Sequence, residues 1–333
     1  MTHRLTRSAL LALTLLATPA RADVPEALDK DILPGFAGFT AATATLAEAA
    51  QADCDPQALR APWNAAFDAW LEVAHLRMGP FEEAGRGLAI AFWPDPKNIG
   101  GRQMAAMLQA ADPALLSPEG TAQISVAARG LFGLERLLYT EAAQANPAYA
   151  CKLTAALAGD LARMAAEMET AWTGPYGDLL RSPGAPGNAT FLTEAEVRQA
   201  LFTQLLTGLE LDAANRIGRP LGSFDKPRPE RAEAIASGRS LTNVARSLAA
   251  LHRLAEALAQ GLGEIPATEA AFARAQTLAA GLDDPVFASV ADPSGRLKVE
   301  ILQQAIEATR AAAETELGAL LGVSAGFNSA DGD

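Results

Sequence analysis

The feature that most constrains this chain is a helical spacing of apolar residues that recurs along its length, with no strand patterning beside it. Trp63, Phe67, Trp70, Leu71 and Ala74 share one face of a helix near 57–77. Leu153, Leu157, Leu161, Met164 and Met168 do the same within 147–172. Leu241, Val244, Leu248, Leu251, Leu258 and Leu262 form a heptad-like seam suited to a bundle. Further helices are expected near 34–52, 118–142, 192–216, 266–282 and 295–321. Alanine and leucine dominate, and β-branched runs with period-two alternation do not occur. Such stripes are buried by laying helix on helix, so the expected fold is all-α, with the aromatic and methionine stripes as core.

Two packed helical-bundle domains are expected. Residues 181–190 (RSPGAPGNAT) break the periodicity with Pro, Gly and small polar residues, and read as a linker or long loop between a first domain, 23–180, and a second, 190–333. In each half a long helix runs into a Gly/Pro loop: Met78-Gly79-Pro80 and Ile217-Gly218-Arg219-Pro220. That parallel suggests a diverged duplication. All four tryptophans (Trp63, Trp70, Trp93, Trp172) fall in the first half, so the two cores have diverged in chemistry.

The N-terminus reads as a secretory signal. Arg4 and Arg7 precede an apolar run from Ser8 to Thr18, and Ala20-Arg21-Ala22 places small residues at −3 and −1, so cleavage is expected after Ala22. The apolar run is shorter than the roughly 20 residues a membrane-spanning helix needs. No cysteine lies near the cleavage point, and no later run reaches transmembrane length, which points to a soluble periplasmic protein and not a lipoprotein. The whole chain has 27 Lys+Arg against 39 Asp+Glu. Removing Arg4, Arg7 and Arg21 leaves 24 − 39 = −15 over the mature part. Such a surface repels nucleic acid and anionic lipid and tolerates cations, so a nucleic-acid partner is excluded. The two cysteines, Cys54 and Cys151, are expected to pair in an oxidising compartment. Each sits beside a helix-start signal, and a bridge would close a loop worth about 4–5 kcal/mol of chain entropy.

Chemistry concentrates in the first half. The helix expected over 118–142 carries Ile124, Ala127, Ala128, Leu131, Leu134, Leu137 and Leu138 around more than half its circumference, yet also Arg129, Glu135 and Arg136. Glu135 falls near the apolar side, where a carboxylate needs a partner or a bound cation. A structural ion pair with an arginine and a ligand or metal site are both open. The long loop after the first strong helix mixes His75, Arg77, Gly79-Pro80, Glu82-Glu83, Gly85-Arg86-Gly87 and Trp93-Pro94-Asp95, the mixture that binding loops on rigid bundles carry. His75 is placed at a helix end, where the dipole favours its protonated form. His252 lies on the seam helix and reads as structural.

The run Trp63, Trp70, Glu72, Gly79-Pro80, Trp93-Pro94-Asp95, then Gly130-Leu-Phe132-Gly-Leu-Glu135-Arg-Leu-Leu-Tyr139, resembles the imelysin family of bacterial envelope proteins. The stretch Arg231-Ala-Glu233, Ser237-Gly-Arg239-Ser240-Leu-Thr-Asn243 resembles that family's second-half signature. The resemblance implies two helical-bundle domains, an envelope setting and a link to iron uptake, in a family that carries a peptidase label. Its hallmark Gly-x-His-x-x-Glu, proposed to bind metal, is matched by Gly130 and Glu135 but has Phe132 at the histidine position. Phe and Glu three apart on a helix do not jointly grip a cation. His75 is the one candidate substitute, with iron or another divalent ion as the possible cofactor.

Arg77, Arg86, Trp93, Asp95, Arg239 and Ser240 complete the candidate binding residues. No catalytic residue is assigned. The mature chain has only His75 and His252, and neither HExxH nor Gly-x-Ser-x-Gly occurs. The expectation is a non-catalytic envelope binding protein associated with iron, whose partner is a metal ion or another envelope protein. A metal-free interaction module and, less well supported, a metallopeptidase are the alternatives.

Overall fold

A computed structural model of the protein describes residues 24–324, so the expected signal peptide and its cleavage after Ala22 lie outside the described residues. The order of helices follows the apolar spacing. The long ones are α1 (Leu33–Ala52), α2 (Pro56–Leu71), α3 (Ile99–Ala110), α4 (Gly130–Tyr139), α5 (Pro147–Thr173), α6 (Glu194–Glu210), α7 (Ser240–Ala259), α8 (Pro266–Ala280) and α9 (Pro293–Leu321). No named strand occurs among the described residues; the one isolated bridge is Ser223 to Lys226. No helix there is long and apolar enough to cross a membrane.

Starts are set by side-chain caps followed by proline. Asp55, Asn146 and Asp292 each accept a backbone N–H in the first turn of α2, α5 and α9, and each is followed by proline at the first helical position. α9 ends at Gly322 in the left-handed conformation.

Two bundles result. In the first, α1 packs along α2 and α5, and α4 lies against α2 and α5. In the second, α9 packs against α6, α7 and α8, and α7 touches α6 and α8. The bundles meet where α7 crosses α2 and the N-terminal turns Val24–Ala27 and Leu28–Ile32. Buried residues form one continuous apolar cluster through both, so the junction itself is core. Cys54 and Cys151 are bridged, tying the α1–α2 corner to the first turn of α5 over 97 residues.

Three expectations change. The single helix over 118–142 is instead a short helix Pro118–Gln123, a 3-10 turn Val126–Ala128 and α4, because Ser125 caps one turn and extended Arg129 hands over to left-handed Gly130. The helix expected to 77 stops at Leu71, so His75 sits in the following turn. Of the seam residues, Leu241 on α7 and Leu262 in the turn beyond its end are only partly buried, while Ser240, Asn243 and Ser247 share the buried face of α7. α3 is an additional element, capped by Asp95.

Candidate functional site

The corner before α4 is fixed by the residue on each side of it. Arg129 is buried and donates from Nε and Nη2 to the two carboxylate oxygens of Asp160 at 2.9 Å each, and from Nη1 to the Ala122 carbonyl at 2.8 Å. Gly130 follows at φ +60°, and a Cβ there would lie 2.2 Å from the carbonyl oxygens of both Ala89 and Ile90. Only glycine fits this approach.

Glu135 is then presented from α4 toward the second bundle. Its Oε1 accepts from the Ser237 backbone N–H at 3.0 Å and the Ser237 hydroxyl at 2.7 Å. The partner is a serine turn and not an arginine, one of the two readings left open by the sequence; Arg136 contributes only charge nearby, its own Nη1 donating to the Phe132 carbonyl at 2.8 Å and its Nη2 lying 3.4 Å from Asp95. Burial raises the Glu135 carboxyl above the ordinary carboxylate range, against the lowering effect of Ser237 and Arg136. Asp95 itself caps α3, accepting from the amides of Ile99 and Gly100 at 2.8 Å each.

Behind Ser237 runs a polar seam through the junction. α6 widens into a π-helical turn, Leu211–Ile217, that turns Asp212 and Arg216 inward. Arg216 donates to Asp212 at 2.6 Å and to Glu233 at 2.8 Å, and Asn243 donates to the same Glu233 oxygen at 2.9 Å. Burial pushes the Asp212 carboxyl up to about 6, while the two carboxylates hold the Arg216 guanidinium more basic than usual. Arg239 carries the seam into the first bundle: it donates to Asn243, to Asn64 and to Asp68, with its guanidinium 4.5 Å from the Phe67 ring centroid. The Ser240 hydroxyl donates to the Glu233 carbonyl.

Above this seam opens a cleft of about 540 Å³. Its lining includes Trp93, Asp95, Phe132, Glu135 and Arg136 from the first half, and Arg219, Arg231 and Ala236 from the second.

The family model described as imelysin, labelled Peptidase M75, matches residues 32–313. The chain belongs to the imelysin family. An imelysin-like protein from Psychrobacter arcticum 273-4 shares the fold with a TM-score of 0.77, at 23% identity over 91% of this chain and 95% of that one. No curated protein matches.

A metal held by the imelysin motif does not fit the residues present. Phe132, where the resemblance expects a histidine, is buried with its ring edge-on to Phe67 at 5.6 Å. One Glu135 oxygen is already occupied by two donors from Ser237. His75 is fully enclosed, with Gly208 and Leu251 meeting at its side and the Arg216 charge beside it. Desolvation first, and Arg216 second, lower its pKa to about 3, so it is neutral and not the protonated helix-end histidine expected. Neither ring nitrogen has a hydrogen-bond partner among the described residues. No group of three or more His, Cys, Asp or Glu side chains able to hold a metal occurs among the described residues. His252 stacks on Phe272 at 4.7 Å, a packing role.

The candidate residues thus divide by location. Trp93, Asp95 and Glu135 meet at the cleft, with Gly130 shaping the corner that aims Glu135. Arg239 and Ser240 belong to the seam. Arg77 and Arg86 stay in the loop after α2, where Arg77 covers the Phe81 ring and donates from its backbone N–H to Gln204 Oε1 at 2.9 Å, and Arg86 donates to the Pro80 carbonyl. Sequence reasoning passed over Asp212 and Arg216, although opposite charges four apart amid Leu209, Ala213 and Ile217 are the pattern of a buried pair. Arg219 offered no such signal, since its place at the cleft depends on the fold.

Proposed function

We propose that this is an exported, non-catalytic binding protein of the bacterial envelope, associated with iron acquisition, whose ligand site is the cleft between the bundles. The observation that carries this reading is the lining of that cleft by aromatic, carboxylate and guanidinium side chains drawn from both halves of the chain. The signal-like N-terminus and the Cys54–Cys151 bridge support the export part. The link to iron rests on family membership, with iron as cargo presented by a ligand or partner.

A peptidase reading finds little support in these residues. A zinc peptidase needs about three protein ligands and a base. Here one histidine is enclosed beside an arginine and the other is stacked on a phenylalanine.

The test is growth of the source bacterium lacking this gene under iron limitation. Wild-type protein restores growth, while Ala236→Trp, which fills the cleft from an exposed position, does not. Equal restoration by both proteins contradicts the cleft as the site. Purified mature protein leaves peptide mixtures uncut with zinc added; cleavage over many turnovers contradicts the non-catalytic part.

A further inference from the structure

The charged groups of the cleft are unequally committed. Asp95 is engaged by two backbone amides and Arg136, and Glu135 by Ser237. Glu230, on the rim, lies 3.5 Å from Arg228. Arg219 and Arg231 have no carboxylate within ion-pair distance among the described residues, in a chain with 39 acids against 27 bases. They are near enough that the charge of Arg231, after burial, lowers the Arg219 pKa. The Arg219 guanidinium stands over the Trp93 ring at 5.7 Å, and its Nε is buried without a hydrogen-bond partner among the described residues. Two like charges held together with unused donors are destabilising by themselves, and a shared oxyanion removes both the repulsion and the orphaned donor. Guanidinium donors lie in a planar fork that matches carboxylate and phosphate oxygens in pairs.

We propose that Arg219 and Arg231 clamp a multivalent oxyanion, carboxylate or phosphate in chemistry, in the cleft against Trp93. This rests on the cleft being the ligand site and names the class of ligand it takes. Arg219 is the fixed half of the clamp, because Trp93 stacks it and Pro220 follows it. Exposed Arg231 is the half that closes on the ligand.

The experiment is calorimetric titration of the mature protein, at low ionic strength, with citrate, ferric citrate and inorganic phosphate in separate arms, with tryptophan fluorescence followed in parallel. One saturable site per chain is expected for at least one of these. Arg231→Ala weakens it by about tenfold or more, and Arg219→Ala with Arg231→Ala abolishes it. Arg228→Ala, which removes a half-buried charge outside the pair, changes affinity by less than about threefold. The citrate and phosphate arms separate carboxylate from phosphate recognition, and ferric against free citrate separates iron-loaded from metal-free ligand. No binding in any arm at about 10 mM, or binding unchanged in the double variant, overturns the proposal. Citrate binding that needs both arginines yet survives Ala236→Trp keeps the anion clamp and removes the cleft reading. Binding in any arm that is blocked by Ala236→Trp but indifferent to both arginines does the reverse.

Discussion

Replacing Gly130 by alanine isolates what the glycine of the family motif is for. At φ +60° an alanine carries backbone strain of about 1–3 kcal/mol. Its Cβ would also meet two carbonyl oxygens at 2.2 Å, so the segment Arg86–Ile90 and its continuation must shift, at an overpacking cost of about 1–3 kcal/mol more. The sum, roughly 2–6 kcal/mol, is a large part of the 5–15 kcal/mol that holds most domains folded. Thermal melts by circular dichroism should show a drop of at least about 5 °C. Two other glycines separate the causes. Gly238 has φ +73° but a Cβ added there would meet nothing within 4 Å, so Gly238→Ala carries the strain alone, about 1–3 kcal/mol. Gly159 lies inside α5 with the same open space and ordinary backbone, so Gly159→Ala gains about 0.5–1 kcal/mol. The order expected is Gly159→Ala above wild type, then Gly238→Ala, then Gly130→Ala. If Gly130→Ala melts with Gly238→Ala, the close approach to Ala89 and Ile90 carries no weight and the overpacking cost is refuted.

Three further outcomes follow from the geometry. His75→Leu should fold at pH 7 and resist acid better than wild type: the unfolded histidine takes a proton below about 6.5 while the folded one stays neutral down to about 3, so stability present above pH 6.5 is lost as pH falls. Parallel melting-temperature profiles for the two proteins between pH 7 and 4 would rule this out. Reducing the Cys54–Cys151 bridge, or replacing both cysteines by serine, should cost about 4–5 kcal/mol in denaturant titrations, since the closed loop spans 97 residues; a loss under about 1 kcal/mol refutes the clamp. Ser237→Ala should destabilise by about 1–3 kcal/mol by leaving buried Glu135 with a backbone donor alone, and Glu135→Gln in the same background should recover part of it because the neutral amide needs less compensation. No recovery in urea melts contradicts that assignment.

The fold was legible wherever apolar spacing and caps coincide. Asp55-Pro56, Asn146-Pro147 and Asp292-Pro293 announce helix starts, and the leucine and aromatic stripes behind them name the buried faces. The Gly130 corner was not legible, because a glycine amid leucines reads as helix interior until its neighbours Ala89 and Ile90 are in place. Glu135 was visible as a carboxylate in need of a partner, but the partner, Ser237, is 102 residues away and nothing local points to it. His75 was misread in charge because a helix-end argument presumes solvent, and this side chain has none. The resemblance residues of the second half are more telling once folded: Glu233, Ser237, Arg239, Ser240 and Asn243 all serve the seam that joins the bundles.

We propose that Gly130, Phe132 and Glu135 shape and join the bundles without holding a metal. Metal content and titration decide it: mature protein is loaded with ferric iron and with zinc, passed through a desalting column and measured by mass spectrometry, beside Glu135→Ala. The expected result is well under one metal ion per chain, with no difference between the two proteins. One tightly held ion per chain that disappears in Glu135→Ala would contradict it.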